Sequence, residues 1–189
     1  MKQPAMPGRV IFFGDSITQM WKLDLSFPGK AYINRGISGQ TTSQMLVRFR
    51  QDVVALQPEV VVILAGTNDI AENQGPTTVE AIEDNLASMV ELAEAHHIRV
   101  VLCSVLPVEV YGWRRNIRPV EKIATLNAWL KGYAEGRRTF FVDYYSATEN
   151  ENHGMKKELS DDGVHPNAAG YAVMAPLAAR AISDALERR

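Results

Sequence analysis

The stretch Val60-Val61-Val62-Ile63-Leu64-Ala65-Gly66-Thr67-Asn68-Asp69 decides the fold. Five consecutive aliphatic residues, four of them β-branched, suit a strand covered on both faces, which is the condition of a parallel sheet. A strand with one wet face would alternate apolar and polar positions instead. Gly66 closes the run, and three polar residues follow at once. Polar clusters at strand ends matter because ligands of open parallel sheets bind beyond the carboxyl ends of the strands.

The same alternation extends outward in both directions. Val10-Ile11-Phe12-Phe13 stops at Gly14, and Ala31-Tyr32-Ile33 is a weaker run. Val100 to Val105 ends before Pro107, and Phe140-Phe141-Val142 ends at Asp143. Helical patterns lie between these runs. Thr41 to Leu56 carries Met45, Phe49 and Val53 at a spacing of four. The next helix begins near Pro76, where Thr77 and Glu80 fit a capping box, and continues with Ile82, Leu86, Met89 and Ala93 on one stripe. A third spans Ile123 to Tyr133, and the last runs from Asn167 to about Glu187 with Tyr171, Met174, Ala178 and Ile182 inward. This βαβα order predicts one domain over residues 1–189, a three-layer α/β/α sandwich around a mainly five-stranded parallel sheet. Irregular stretches are expected at 21–30, 106–119 and 144–161, and long loops in small domains are often functional.

Composition narrows the functions. Apolar residues make up 46% and charged residues 22% of 189, an ordinary globular balance. The net charge of −2 leaves no basic footprint for nucleic acid, and Arg114, Arg115 and Arg118 form only a local cluster. No apolar run approaches the ~20 residues of a membrane span. The polar segment Met1 to Arg9 shows no signal peptide, so the chain as given reads as cytoplasmic, or as exported if a leader has been removed. The single cysteine, Cys103, lies in an apolar run and reads as a buried thiol.

Four polar clusters fall at strand ends or before the last helix: Gly14-Asp15-Ser16-Ile17-Thr18, Asn34-Arg35-Gly36-Ile37-Ser38-Gly39, Gly66-Thr67-Asn68-Asp69 and Asp162-Gly163-Val164-His165-Pro166. Acyl transfer needs a nucleophile, a base, a group fixing the base and donors for an oxyanion. Ser16 follows a strand and a glycine, which stands its hydroxyl at the sheet's rim. His165 can take its proton. Asp162, three residues earlier, can reach the imidazole Nδ1 through a tight turn and fix the tautomer. Gly36 lets a backbone amide approach closely, and Asn68 offers a side-chain donor worth ~3 kcal/mol in a transition state. Each feature alone also reads as a cap or a turn.

Together these blocks resemble the SGNH hydrolases, or GDSL esterase family, named for Ser, Gly, Asn and His in four ordered blocks. The resemblance spans residues 14 to 166 and implies a flavodoxin-like fold. It implies Ser16 as nucleophile, His165 as base, Asp162 as its partner, and the Ser16 and Gly36 amides with the Asn68 side chain as oxyanion donors. It implies no metal and no cofactor. Ile17 stands where leucine is common, an apolar exchange. The third block, Gly-Thr-Asn-Asp, looks more like the carbohydrate acetylesterase and platelet-activating-factor acetylhydrolase-like branches. The Gly-x-Ser-x-Gly, Gly-x-Gly-x-x-Gly and P-loop patterns are absent.

Asp15, adjacent to Ser16, reads mainly as structural support, because neighbouring side chains on extended backbone point apart. With Trp21, Tyr111, Trp113 and Val164 it completes the candidates for contact with substrate. The aromatic rings suit stacking on a sugar or lining an acyl pocket, and equally suit packing loops onto the domain. His96 and His97 close a helix, and His153 lies in a polar loop. Asp162 is preferred to Asp161 for the Asp-x-x-His spacing. The expected activity is hydrolysis of short carboxylic esters, acetyl esters of carbohydrate foremost, through an acyl-enzyme. The alternatives are a lysophospholipase or thioesterase using the same triad and, further off, a non-catalytic ligand-binding domain. The expected partner is a small-molecule or carbohydrate ester.

Overall fold

Each apolar run becomes a strand of a single parallel sheet. The computed structural model describes residues 8–137 and 139–188. Its strands are β1 (Val10–Gly14), β2 (Ile33–Gly36), β3 (Val60–Leu64), β4 (Arg99–Cys103) and β5 (Phe140–Val142), in the order β2-β1-β3-β4-β5. Every pair is parallel. The helices are α1 (Ser16–Met20), α2 (Leu23–Ser26), α3 (Thr42–Asp52), α4 (Thr67–Ile70), α5 (Val79–Ala95), α6 (Pro119–Arg137), α7 (Tyr144–Thr148) and α8 (Ala168–Glu187).

Strand pleating sends alternate residues to opposite faces, and here both faces are covered. Ile11, Phe13, Val61 and Ile63 pack under Met45 and Phe49 of α3 and the apolar stripes of α5 and α6. Val10, Phe12, Val60, Val62 and Leu64 pack against Ile17, Trp21 and Phe27 and against Met174, Ala178 and Ile182 of α8. All five residues of β3 are buried, which explains its uninterrupted apolar lettering. Burying each such side chain fully contributes about 1.5–3 kcal/mol.

Strand order fixes where a ligand can bind. The chain steps outward from β1 to β2, then returns past β1 to β3. That reversal opens a crevice between the carboxyl ends of β1 and β3. Arg48 of α3 ties this end together: its guanidinium donates to the carbonyls of Gly14 and Arg35 at 2.9 Å each, and to Asp52 at 2.8 Å. It also lies 4.1 Å over the Phe13 ring.

Local boundaries depart from the sequence reading at several places. β2 begins at Ile33 and runs through Asn34 and Arg35 to Gly36, rather than covering 31–33. It is an edge strand, where polar residues are tolerated because one side faces no partner. The Thr77–Glu80 capping box does not form. Thr78 is the cap of α5, accepting from the Ala81 amide at 3.2 Å, and alanine has no side chain to return the bond. The reciprocal arrangement occurs at α3 instead, where the Thr41 amide donates to Gln44 Oε1 at 3.0 Å. The stretches 21–30 and 144–161, expected to be irregular, contain the single turns α2 and α7.

Candidate active site

Ser16 owes its position to a sharp reversal after β1. Gly14 ends the strand, and a Cβ there would lie 2.1 Å from Thr18 Oγ1 and 2.6 Å from the Leu64 carbonyl, so only glycine lets α1 fold back so closely. Asp15 then caps α1 by accepting from the Ile17 amide at 2.9 Å. Ser16, the first helical residue, is held at the rim between β1 and β3.

The segment 160–167 supplies the facing groups. Asp162 Oδ1 accepts from the amides of Val164 at 2.9 Å and His165 at 2.8 Å, which curls the chain into a tight turn. Ser160 Oγ reinforces the turn, donating to the His165 carbonyl at 2.7 Å and accepting from the Gly163 amide at 2.9 Å. Asp162 Oδ2 is thereby left 2.7 Å from His165 Nδ1, and His165 Nε2 lies 2.9 Å from Ser16 Oγ. A proton on Nδ1, facing the carboxylate, leaves the Nε2 lone pair for the serine hydroxyl. Asp161 is turned elsewhere, accepting from Asn167 Nδ2 at 3.4 Å.

Electrostatics distinguish the two acids near the serine. Partial burial raises the Asp162 pKa, but the His165 and Val164 amides and the imidazole outweigh it and hold the carboxyl at about 2. Asp15 is buried, and desolvation pushes it up to about 7 despite the Ile17 amide and the neighbouring His165. Burial also raises Asp69, whose carboxylate accepts from the Thr42 amide and, at 2.6 Å, from its hydroxyl.

A cleft of about 460 Å³ opens over these groups. Ser16, Asn68, Asp162 and His165 line it, together with Ser38 and Gly39. Asn68 is the second residue of α4; its Nδ2 donates to the Gln40 carbonyl at 3.0 Å and, at a longer 3.3 Å, faces Asp15 Oδ2. Gly36 is not brought to the cleft. Its amide donates to Asn34 Oδ1 at 2.9 Å, and a Cβ on it would meet the Gln19 amide nitrogen at 2.1 Å. The glycine is needed for α1 to cross the end of β2, whereas Gly39, in the left-handed region at φ 77°, is the glycine at the cleft wall.

The candidates for substrate contact separate by burial. Asp15, Trp21, Tyr111 and Val164 are 1%, 3%, 0% and 1% exposed, so none presents a surface to the cleft. Trp21 belongs to the apolar layer under α8, stacked 5.2 Å from Tyr171 and donating to Ser26 Oγ. Tyr111 anchors the loop after β4, its hydroxyl meeting the Thr67 hydroxyl at 2.9 Å and carbonyl at 3.0 Å. Trp113 is different: it is half-exposed and lines the cleft. Sequence reasoning missed Met20, Ser38, Gly39 and Asn73 on the walls. Gly39 carried a signal, since it closes the same block as Gly36; Asn73 carried none. Cys103 is buried, and desolvation pushes its thiol up to about 12. His153 is exposed beside Glu149, and His96 lies beside Arg50. Among the described residues no group of three His, Cys, Asp or Glu could hold a metal ion, and no helix is long and apolar enough to cross a membrane.

Fold and cleft together define a hydrolase of carboxylic esters built on a parallel α/β sheet. The chain belongs to the GDSL-like Lipase/Acylhydrolase family, whose profile matches residues 12–173. A solved structure of a GDSL-like lipase from Bacteroides thetaiotaomicron is 45% identical, with a TM-score of 0.91 over 95% of this chain and 89% of that one. The acetylxylan esterase of Geobacillus stearothermophilus is 26% identical over 158 residues, 78% of this chain and 69% of that protein. A shorter match, 33% identical over 79 residues, joins 40% of this chain to the uncharacterized lipoprotein YqeF of Bacillus subtilis; it spans 32% of that protein's length.

Proposed function

We propose that the chain hydrolyses short acyl esters, acetyl esters of carbohydrate foremost, through a Ser16–His165–Asp162 triad and an acyl-enzyme. The observation that carries the reading is the unbroken line from Ser16 Oγ to His165 Nε2 at 2.9 Å and from His165 Nδ1 to Asp162 at 2.7 Å. Ser16 Oγ attacks the ester carbonyl while its proton passes to Nε2, and Asp162 stabilises the imidazolium. The negative oxygen of the tetrahedral intermediate is met by the Asn68 side chain and by the amides of Ser16 and Gly39, with Gly39 taking the part first given to Gly36. His165 returns the proton to the departing alcohol, leaving the acyl group on Ser16. A water that gives its proton to His165 then releases the acid and restores the serine.

Two features support a small acyl group on a sugar. Apart from Met20 and Trp113, the cleft wall carries no large apolar side chain. The exposed indole of Trp113 offers a flat face of the kind that stacks on a pyranose. The likeness to an acetylxylan esterase points the same way.

A longer acyl chain, as in a lysophospholipase or thioesterase, is favoured by one observation. A separate hollow of about 430 Å³ between α2 and α8 is lined by Trp21, Leu25, Tyr171 and small alanines, an apolar surface of the kind an acyl chain would occupy. Rates on acetyl, octanoyl and palmitoyl esters decide between the two. An optimum at acetyl is expected, and an optimum at palmitoyl overturns the acetyl preference. For the triad, Ser16→Ala is expected to lower kcat by about 10⁴-fold or more. Undiminished turnover by that variant would remove the mechanism.

A further inference from the structure

Asn68 must present its NH₂ group, not its carbonyl, to a developing oxyanion. A terminal amide can be reversed by rotation about one bond, so something has to fix which end faces which way. The structure holds a chain of hydrogen bonds that does this. Trp113 Nε1 donates to Asn73 Oδ1 at 2.9 Å. Asn73 Nδ2 donates to Asn68 Oδ1 at 2.6 Å. Asn68 Nδ2 in turn donates to the Gln40 carbonyl at 3.0 Å.

The two ends of this chain have no freedom of role. An indole N–H can only donate, and a backbone carbonyl can only accept. Trp113 therefore forces the oxygen of Asn73 towards itself, which aims the Asn73 NH₂ at Asn68. That donor holds the Asn68 oxygen away from the Gln40 side, and the Gln40 carbonyl selects the Asn68 NH₂ from the other end. The second Asn68 hydrogen makes only the 3.3 Å approach to Asp15, so it is the one available to a stronger acceptor arriving in the cleft. The starting point is itself fixed, because Tyr111 pins the loop to Thr67 and packs its ring 5.2 Å from that of Trp113.

We infer that Asn73 is a positioning residue for ester hydrolysis, and that Trp113, through its N–H, sets the amide polarity of the whole Trp113–Asn73–Asn68 line. The inference rests on the proposed role of Asn68 as an oxyanion donor. It gives Trp113 two separable tasks. Its ring meets the substrate, and its N–H orients the group that stabilises the transition state.

Three variants of the full chain, assayed with 4-nitrophenyl acetate and with an acetylated xylo-oligosaccharide, test this. Asn73→Ala removes the orienting donor and is expected to lower kcat about tenfold on both substrates with KM little changed. Asn73→Asp places an acceptor against Asn68 Oδ1, and turning the Asn68 amide over would set its oxygen against the Gln40 carbonyl. Because either arrangement opposes two acceptors, kcat is expected to fall further than in the alanine variant, towards ~100-fold. Trp113→Phe keeps an aromatic face and loses the N–H; kcat should drop on both esters while KM for the oligosaccharide holds. The melting temperature and the far-UV circular dichroism spectrum are followed in parallel to confirm folded protein.

An Asn73→Asp variant as active as wild type, or more active than Asn73→Ala, overturns the inference. A change confined to KM in Asn73→Ala does so too. Ser16→Ala separates the two levels. If that variant still turns over ester, the underlying mechanism fails; if it is inactive while the Asn73 variants keep wild-type kcat, only the orienting role is lost.

Discussion

Asp162 does two jobs with two oxygens. One gathers the backbone amides that bend the 160–165 segment, and the other meets the imidazole. Asparagine has one oxygen to offer, so Asp162→Asn must turn its NH₂ either on the amides or on His165 Nδ1. A kcat loss of about 10³–10⁴-fold is expected, measured with an acetyl ester. With a pKa of about 2, Asp162 is ionised throughout any practical assay range, so the acid limb of the rate profile does not belong to it. Asp15 behaves oppositely. Its folded pKa of about 7 lies above the ordinary 3.8, so across that window the native chain binds more protons than the unfolded one. Stability carried by this group is present below 3.8 and is lost as pH rises towards about 7. Asp15→Asn keeps an oxygen for the Ile17 amide and removes the titration. Its melting temperature should therefore gain on wild type as the pH is raised through this window; parallel curves for the two proteins would contradict the assignment.

At the scale of elements, two glycines of one block serve different ends. Gly36→Ala drives a methyl group to 2.1 Å from the Gln19 backbone, so α1 must move, and with it Ser16. Gly39→Ala meets nothing within 4 Å and costs only the strain of a positive φ, about 1 kcal/mol. Thermal melts should show a large loss for the first and a small one for the second, and esterase activity should collapse in the first. The sequence could not tell the two apart, because their roles depend on where β2 stops. Asn34 and Arg35 look unlike a strand interior, so the strand was expected to finish at Ile33, which left Gly36 in the following loop. The single-turn helices α1, α2, α4 and α7 were illegible for a related reason. Four or five residues are too few for a 3.6-residue period to appear. By contrast β3, α3 and α8 were legible, since each buries a continuous face. The Asp-x-x-His spacing was readable because a turn that short leaves few geometries, while Asn73 was not, because its proposed role depends on Trp113, which reaches it from the loop after β4.

At the scale of the whole molecule, the order β2-β1-β3-β4-β5 gathers segments from both ends of the sequence at one rim. The rim is unevenly held. β1 and β3 lie inside the sheet with every residue buried, whereas residues 112–116 after the fourth strand are all exposed. Hydrogen exchange should be slowest in β1 and β3, where opening requires global unfolding, and fast across 112–116. Equal protection of the two regions would contradict this account. Ser16 and His165 stand 149 positions apart in sequence, yet 2.9 Å apart in space. On the proposed mechanism, a ribosome-bound chain made only as far as α7 already carries the attacking serine, the oxyanion asparagine and all five strands of the sheet, but no base. Such a chain is chemically silent. Ester turnover thus becomes an assay for the seating of the 160–165 segment on the sheet's rim.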